Sequence, residues 1–100
     1  MNSVVIDVQN LVIQDVTVSE DTLTVDLSDG RSVSVPVGWY PRLWHGNVSE
    51  RNHWRLIGRG VGIHWPELDE DISLAGLLQG KPSNESTKSL ERWLHERVEQ

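Results

Sequence analysis

The 100-residue sequence has no cysteine, no phenylalanine and one methionine, and no apolar run approaches the ~20 residues of a membrane span. The missing cysteines exclude a disulfide framework, a thiolate nucleophile and every zinc site built on sulfur. With no long apolar run and no basic-then-apolar N-terminus, the expected location is the cytoplasm, without membrane contact. Without phenylalanine, five tryptophans and one tyrosine are left to supply the aromatic volume of the core. A chain of this length can bury roughly 60–68% of its unfolded surface, which allows one modest core. With 37% hydrophobic and 24% charged residues, the composition is that of a globular domain.

The formal net charge of −6 is unevenly spread. Residues 1–29 hold six acids and no Lys or Arg, and residues 65–100 hold eight acids against four basic residues. Residues 30–64 reverse the sign, with Arg31, Arg42, Arg51, Arg55 and Arg59 against Glu50 alone. His45, His53 and His64 lie in the same block, as do Trp39, Tyr40, Trp44 and Trp54, with Trp65 just beyond it. Either the acidic flanks fold against the basic centre, or the centre presents a basic, aromatic surface to an acidic partner or a nucleic acid.

Alternation of period two dominates the first third. Leu23, Val25 and Leu27 oppose Thr22, Thr24 and Asp26, and Val33, Val35 and Val37 oppose Ser32 and Ser34. Asp29-Gly30 between them predicts a type I′ hairpin turn. Val16 and Val18 form an earlier strand, out of phase with Leu11 and Ile13, which predicts a bulge near Gln14. Residues 4–8 are β-rich and read as a further strand or an arm. Pro41 suits the first turn of a short helix carrying Leu43 and Trp44, and Asn47-Val48-Ser49-Glu50 resembles a capping box opening another. A second hairpin is expected over residues 54–65 around Gly58-Arg59-Gly60, closed by Pro66. Asp71 or Ser73 then caps a helix with Leu74, Leu77 and Leu78 that Gly80 and Pro82 end. Residues 81–87 read as a flexible polar linker, and Leu90, Trp93, Leu94 and Val98 form the apolar stripe of a last helix. The expected fold class is α+β: a single small domain over residues 1–80, with an antiparallel sheet of about five strands in two hairpins and short helices on one face. Residues 81–100 add the linker and a C-terminal amphipathic helix.

For chemistry, the suggestive cluster runs from His64 to Asp71. A metal-assisted hydrolase centred on His64, Asp69 and Asp71 is one reading, but no calcium-loop rhythm or His-Glu-x-x-His motif occurs. The preferred reading is that Asp69 to Asp71 neutralise the positive end of the following helix. No serine stands in a nucleophile elbow, and no Lys-Ser or Lys-Thr follows the alternating Gly58, Gly60 and Gly62 to hold a phosphate. No catalytic residue, metal or cofactor is therefore expected. Trp39, Trp44, Trp54 and Trp65 could stack bases beside Arg51, Arg55 and Arg59, but core packing of at least two of the four is the preferred reading.

Tyr40-Pro41-Arg42-Leu43, Ser49-Glu50-Arg51, Trp54 and Gly62-Ile63-His64-Trp65-Pro66 lead into Leu68-Asp69-Glu70-Asp71-Ile72-Ser73 and Leu77-Leu78. Together with the strand, Asp-Gly turn and strand over residues 23–35, these resemble the bacterial domain-of-unknown-function family 2442 over about residues 13–80. The resemblance implies a small antiparallel α+β domain without established catalytic residues, encoded beside another small protein in a toxin–antitoxin-like pair. Some relatives join the domain to a helical DNA-binding domain, for which the single helix of this tail is too little. The expected role is thus a non-enzymatic protein-interaction module, antitoxin-like, whose partner is the product of an adjacent gene. Nucleic-acid binding is the alternative and a homo-oligomer a further option. The candidate surface comprises Arg42, Trp44, Arg51, Trp54, Arg55, Arg59, His64 and Trp93.

Overall fold

The computed structural model describes residues 10–98, and the strand or arm expected over residues 4–8 lies outside them. In the first sheet, β1 (Ile13–Val18), β2 (Thr22–Leu27) and β3 (Ser32–Pro36) pair antiparallel in the order β1-β2-β3. Ile13, Val16, Leu23, Val25, Leu27 and Val35 are buried on one face. On the other, the hydroxyls of Thr24 and Ser34 lie 2.8 Å apart and Ser32 Oγ donates to Asp26 at 2.7 Å. The register of β1 against β2 shifts between Ile13 and Asp15, so the expected bulge is present and lets both Ile13 and Val16 face inward.

The second hairpin turns at Gly58-Arg59-Gly60 as expected, whereas the first differs from expectation in its turn. At Asp29-Gly30, Gly30 N–H donates to the Leu27 carbonyl at 3.0 Å and Leu27 N–H to that of Arg31 at 2.8 Å, with positive φ at Gly30 (+93°) and not at Asp29. This is a three-residue loop with a glycine bulge rather than a two-residue type I′ turn. Asp29 instead accepts from the backbone N–H of Arg31 at 3.1 Å and from its Nε at 2.7 Å, which fixes the loop from its polar side. The left-handed backbone lies in the second hairpin, at Gly58 (+56°) and Arg59 (+66°), followed by Gly60 (+110°).

That hairpin belongs to a separate sheet. β4 (Arg55–Ile57), β5 (Gly62–Trp65) and β6 (Glu70–Ser73) pair antiparallel in the order β4-β5-β6, so the single sheet of about five strands is replaced by two sheets of three. The additional strand is β6, in the segment expected to be an acidic helix cap. Leu68, Ile72 and Leu74 are buried at every second position, with Glu70 in the same phase, and that alternation draws the chain into the sheet. The helix starts only after it. Ser73 caps α3 (Leu74–Gln79), its Oγ accepting from Gly76 N–H at 2.9 Å, and Gly80 ends the helix at φ +70°.

Between the sheets, residues Val37–Trp39 make a 3-10 turn, α1 (Pro41–Trp44) starts on its proline, and α2 (Val48–Arg51) has the expected capping box. Asn47 Oδ1 accepts from Glu50 N–H at 2.8 Å and Glu50 Oε1 from Asn47 N–H at 2.9 Å. The last helix, α4 (Thr87–Val98), folds back on the domain: Trp93 is buried, Leu90 and Leu94 pack against the core, and only Val98 of the stripe is exposed. Residues 81–86 are accordingly no free linker. Ser83 N–H donates to the Trp39 carbonyl at 3.0 Å, and Glu85 is gripped by Arg42. One core unites the sheets, with Leu23, Val25, Val37, Leu43, Ile63, Trp65 and Leu68 fully buried.

A backbone hydrogen bond joins the two sheets: Ile13 N–H donates to the Gly60 carbonyl at 2.8 Å. A Cβ at Gly60 would lie 2.6 Å from the Ile13 carbonyl oxygen, whereas one at Gly30 meets nothing within 4 Å. Both glycines have positive φ, so their alanine variants share a backbone cost and differ in the steric one. Gly30→Ala should cost about 1–2 kcal/mol and Gly60→Ala at least about 3 kcal/mol in urea unfolding. Equal losses would mean that the close approach of the sheets carries no energetic weight.

Candidate interaction surface and acidic cleft

The basic, aromatic centre is largely consumed inside the fold. Arg42 Nε donates to both oxygens of Glu85 at 2.9 Å, and Nη2 adds a shorter bond to one of them. Its Nη1 reaches the carbonyls of Leu68 (3.4 Å) and Asp69 (3.2 Å). The same guanidinium lies over the Trp93 ring, 5.0 Å from its centroid, and Arg97 lies over that ring at 4.6 Å. Arg97 is in turn held by Glu50 through bonds of 2.9 and 3.1 Å. Arg42 and Arg97 thus clasp Trp93, each anchored by a carboxylate. Their hydrogen bonds hold the Glu85 and Glu50 carboxyls below the usual carboxylate range.

Arg51 is a staple. Its Nε donates to the Leu43 carbonyl, Nη2 to that of Trp44, and Nη1 to those of Ser19 and Glu20, at 2.9–3.0 Å. The Arg51 carbonyl accepts from Trp65 Nε1 at 3.0 Å, which lets the indole be fully buried without an orphaned donor. Trp39 and Trp54 are half-buried against the core, so of the four tryptophans weighed for base stacking only Trp44 is an exposed ring. Arg42, Arg51 and Trp93 are therefore removed from the candidate surface: their side chains hold the domain together.

Trp54 is half-buried and keeps only part of its ring at the surface, and Trp44, Arg55, Arg59 and His64 remain. Trp44 is 53% exposed at the end of α1, close in sequence to Val48 (76%) at the start of α2. Beside this corner, His45 and Glu50 share a depression with Leu94, Arg97 and the exposed Val98 at the end of α4. Val48 also lines an apolar groove with Val18, Ser19, Glu20 and Arg51. Arg55 and Arg59 are exposed on β4 and its turn, with no ion pair among the described residues. Arg55, His64 and Asp71 form a row across the second sheet, His64 Nδ1 hydrogen-bonded to Asp71. Asp69 turns instead to Arg42 at 3.5 Å, and no group of three metal-ligating side chains occurs among the described residues. His64, Asp69 and Asp71 are thus not brought together as a metal site.

A second feature was missed by the sequence reading. Glu70, in the inward phase of β6, faces a cleft of about 280 Å³ bounded by Tyr40, Ser73, Lys81, Ser83 and Asn84. Burial, reinforced by the like charges of Glu85 and Asp71 and opposed by the Asp71 N–H and Arg42, pushes its carboxyl up to about 7. Tyr40, itself buried, donates its hydroxyl to the Lys81 carbonyl at 3.3 Å, and its own ionisation is pushed up by burial and by Glu70. The alternation of Leu68, Glu70 and Ile72 carried the signal, which the acidic context masked.

The family described as protein of unknown function (DUF2442) matches residues 13–83. A crystal structure of a protein of unknown function from Rhodospirillum rubrum aligns with a TM-score of 0.65 and 26% identity, over 76% of this chain and 94% of that one. A solution NMR structure of an uncharacterised protein from Chromobacterium violaceum aligns with a TM-score of 0.63 and 20% identity, over 81% of this chain and 74% of that one, and supports the fold alone. No curated protein matches the chain.

The clasp and the cleft each yield a measurable consequence. Arg42→Met leaves Glu85 without its cation and should cost about 2 kcal/mol in urea unfolding at neutral pH. Because the Glu85 carboxyl is depressed, the ion-pair part of that contribution is present above the ordinary value of 4.5 and lost as pH falls below it, so the stability difference between the two proteins should narrow in acid. Glu70 has the opposite sign. Its raised carboxyl contributes stability that is full below 4.5 and lost as pH rises through about 7. Glu70→Gln should therefore be more stable than wild type at pH 8 by on the order of 1–2 kcal/mol, after discounting for solvent screening, and no more stable at pH 4.

Proposed function

The chain belongs to the DUF2442 family, and on that premise we propose that it is a non-enzymatic protein-interaction module of the bacterial cytoplasm. In this reading it is the antitoxin-like partner of a small protein encoded by a neighbouring gene, as the family resemblance implies. The observation that carries the reading is Trp44, a 53% exposed indole in a domain that buries or half-buries its other tryptophans. Large aromatics left at the surface are the usual anchors of protein interfaces. Val48 adds exposed apolar surface at the start of α2, Val98 is exposed at the end of α4 beside His45, and Glu50 and Arg97 nearby are paired within the domain, which keeps their desolvation cost low. The docking surface is therefore the corner between α1 and α2 with the far end of α4. The rest of α4 belongs to the domain's own core, so the helix does not act as a free arm.

A nucleic-acid-binding role has one observation in its favour: Arg55 and Arg59 are exposed and without ion pairs among the described residues. Two free arginines of the central five make a small electrostatic footprint for a chain of net charge −6.

Co-expression with the adjacent gene product distinguishes the two. The proposal expects the pair to co-purify, and expects Trp44→Ser with Val48→Ser to abolish co-purification without lowering the melting temperature. Failure of the wild type to retain the partner, or retention by the double variant, would overturn it. Quenching of Trp fluorescence by oligonucleotides at low salt, lost on Arg55→Ala with Arg59→Ala, would establish the alternative instead.

A further inference from the structure

The cleft at Glu70 is separate from the proposed docking corner, and its lining has a chemistry of its own. One carboxylate oxygen of Glu70 accepts from Asp71 N–H at 3.0 Å. The other takes no hydrogen bond from the protein, and among the described residues no unpartnered side-chain oxygen or nitrogen is sealed from solvent. That oxygen is therefore open to solvent, and Glu70 lines the cleft. Around it stand further acceptors: the Lys81 carbonyl, already bonded to Tyr40 Oη by a long contact of 3.3 Å, and the side chains of Ser83 and Asn84. The Tyr40 ring supplies an aromatic surface. Arg42, the guanidinium that acts on Glu70, is committed to Glu85 and to two carbonyls. Lys81 is the one cationic residue of the lining and is outnumbered by Glu70 and Asp71.

We infer that this cleft binds a primary ammonium group, from a small amine or from a lysine side chain of another protein, with Glu70 as its anionic anchor and Tyr40 as its aromatic wall. An ammonium has three donors and no acceptor, which matches a site rich in acceptors and short of cations. The volume, about 280 Å³, lies at the lower edge of the roughly 300–1,000 Å³ of drug-sized pockets and suits one aliphatic amine rather than a nucleotide. Ammonium binding selects ionised Glu70, in competition with the proton. The charged and titratable groups acting on that carboxyl are Arg42 from α1, Tyr40 before it, Asp71 on its own strand and Glu85 ahead of α4, with Lys81 at the rim of the cleft. With the Glu70 carboxyl near 7, affinity should rise about tenfold between pH 6 and pH 8.

The test is an NMR titration of the intact protein with n-butylammonium and with Nα-acetyl-lysine methylamide, using the uncharged norleucine analogue as control. Saturable shifts of the amides of Glu70, Asp71 and Ser83 are expected with both ammonium probes and not with the control, together with the tenfold pH dependence. Tighter binding of the lysyl probe identifies a protein side chain as the source, and equal binding identifies a free amine. No saturable shift, an equal response to norleucine, or affinity independent of pH would overturn the inference. So would unchanged binding by folded Glu70→Gln. The titration uses no partner protein, so its failure leaves the role of Trp44 untouched.

Discussion

Two three-stranded sheets, neither able to bury its apolar face alone, are held against each other where Gly60 passes Ile13. A three-stranded sheet with one hydrophobic face needs a covering layer. Here each sheet, with α3 and α4, contributes to the cover of the other, and the contact is close enough that Gly60 must lack a side chain. The bulge in β1 follows from the same requirement. It brings Ile13 and Val16 to the shared core while leaving the Ile13 N–H free to donate to Gly60. Glycine at position 60 is thus a condition for uniting two sheets in one core, beyond its value as a turn former.

The polarity of the centre serves that architecture. Five arginines between two acidic flanks suggested a surface waiting for a polyanion, yet Arg42 and Arg51 spend their donors on carbonyls and carboxylates of the same chain. The reason lies in the short elements. Helices of four residues, such as α1 and α2, leave most of their terminal carbonyls without intrahelical partners, and a guanidinium with five donors can satisfy several at once. Arg51 does this for α1 and for the loop after β1. Arg42 does it for the turn before β6, and its remaining donors draw Glu85, and with it α4, onto the domain. The two Trp93 contacts then follow from geometry: two anchored cations lie over one aromatic ring and are partly desolvated by it.

Local pattern made much of the fold legible. The alternating strands, the bulge near Gln14, the proline start of α1, the Asn47 capping box and the glycine end of α3 all depend on residues within a few positions of each other. What stayed hidden was long-range. Period-two alternation says that strands pair in sheets but not in how many sheets, and the segment before α3 carried two compatible messages. Its four acids in eight residues fit a helix N-terminus, whereas Leu68, Ile72 and Leu74 fit a strand. Burial of three apolar side chains outweighs the few tenths of a kcal/mol to ~1 kcal/mol offered by a helix dipole. Of the eight candidate surface residues, Arg42, Arg51 and Trp93 were misjudged because whether an arginine or tryptophan is spent internally depends on distant partners: Glu85 for Arg42, the Ser19 and Glu20 carbonyls for Arg51, and Arg42 for Trp93.

Once residues 70–73 are a strand, Glu70 becomes the anomaly of the domain. Its neighbours in phase, Leu68 and Ile72, are buried apolar residues, and a glutamate between them pays desolvation with one hydrogen bond in return. An apolar residue there would close the wall between β6 and residues 81–84 and lower the cost of folding. Glu70 lacks the excuse that accounts for the other half-buried acids: Glu50 and Glu85 are each bound by an arginine that also orders α4. A carboxylate that stabilises little, faces a cleft and keeps an oxygen free has the properties of a group retained for binding rather than for folding.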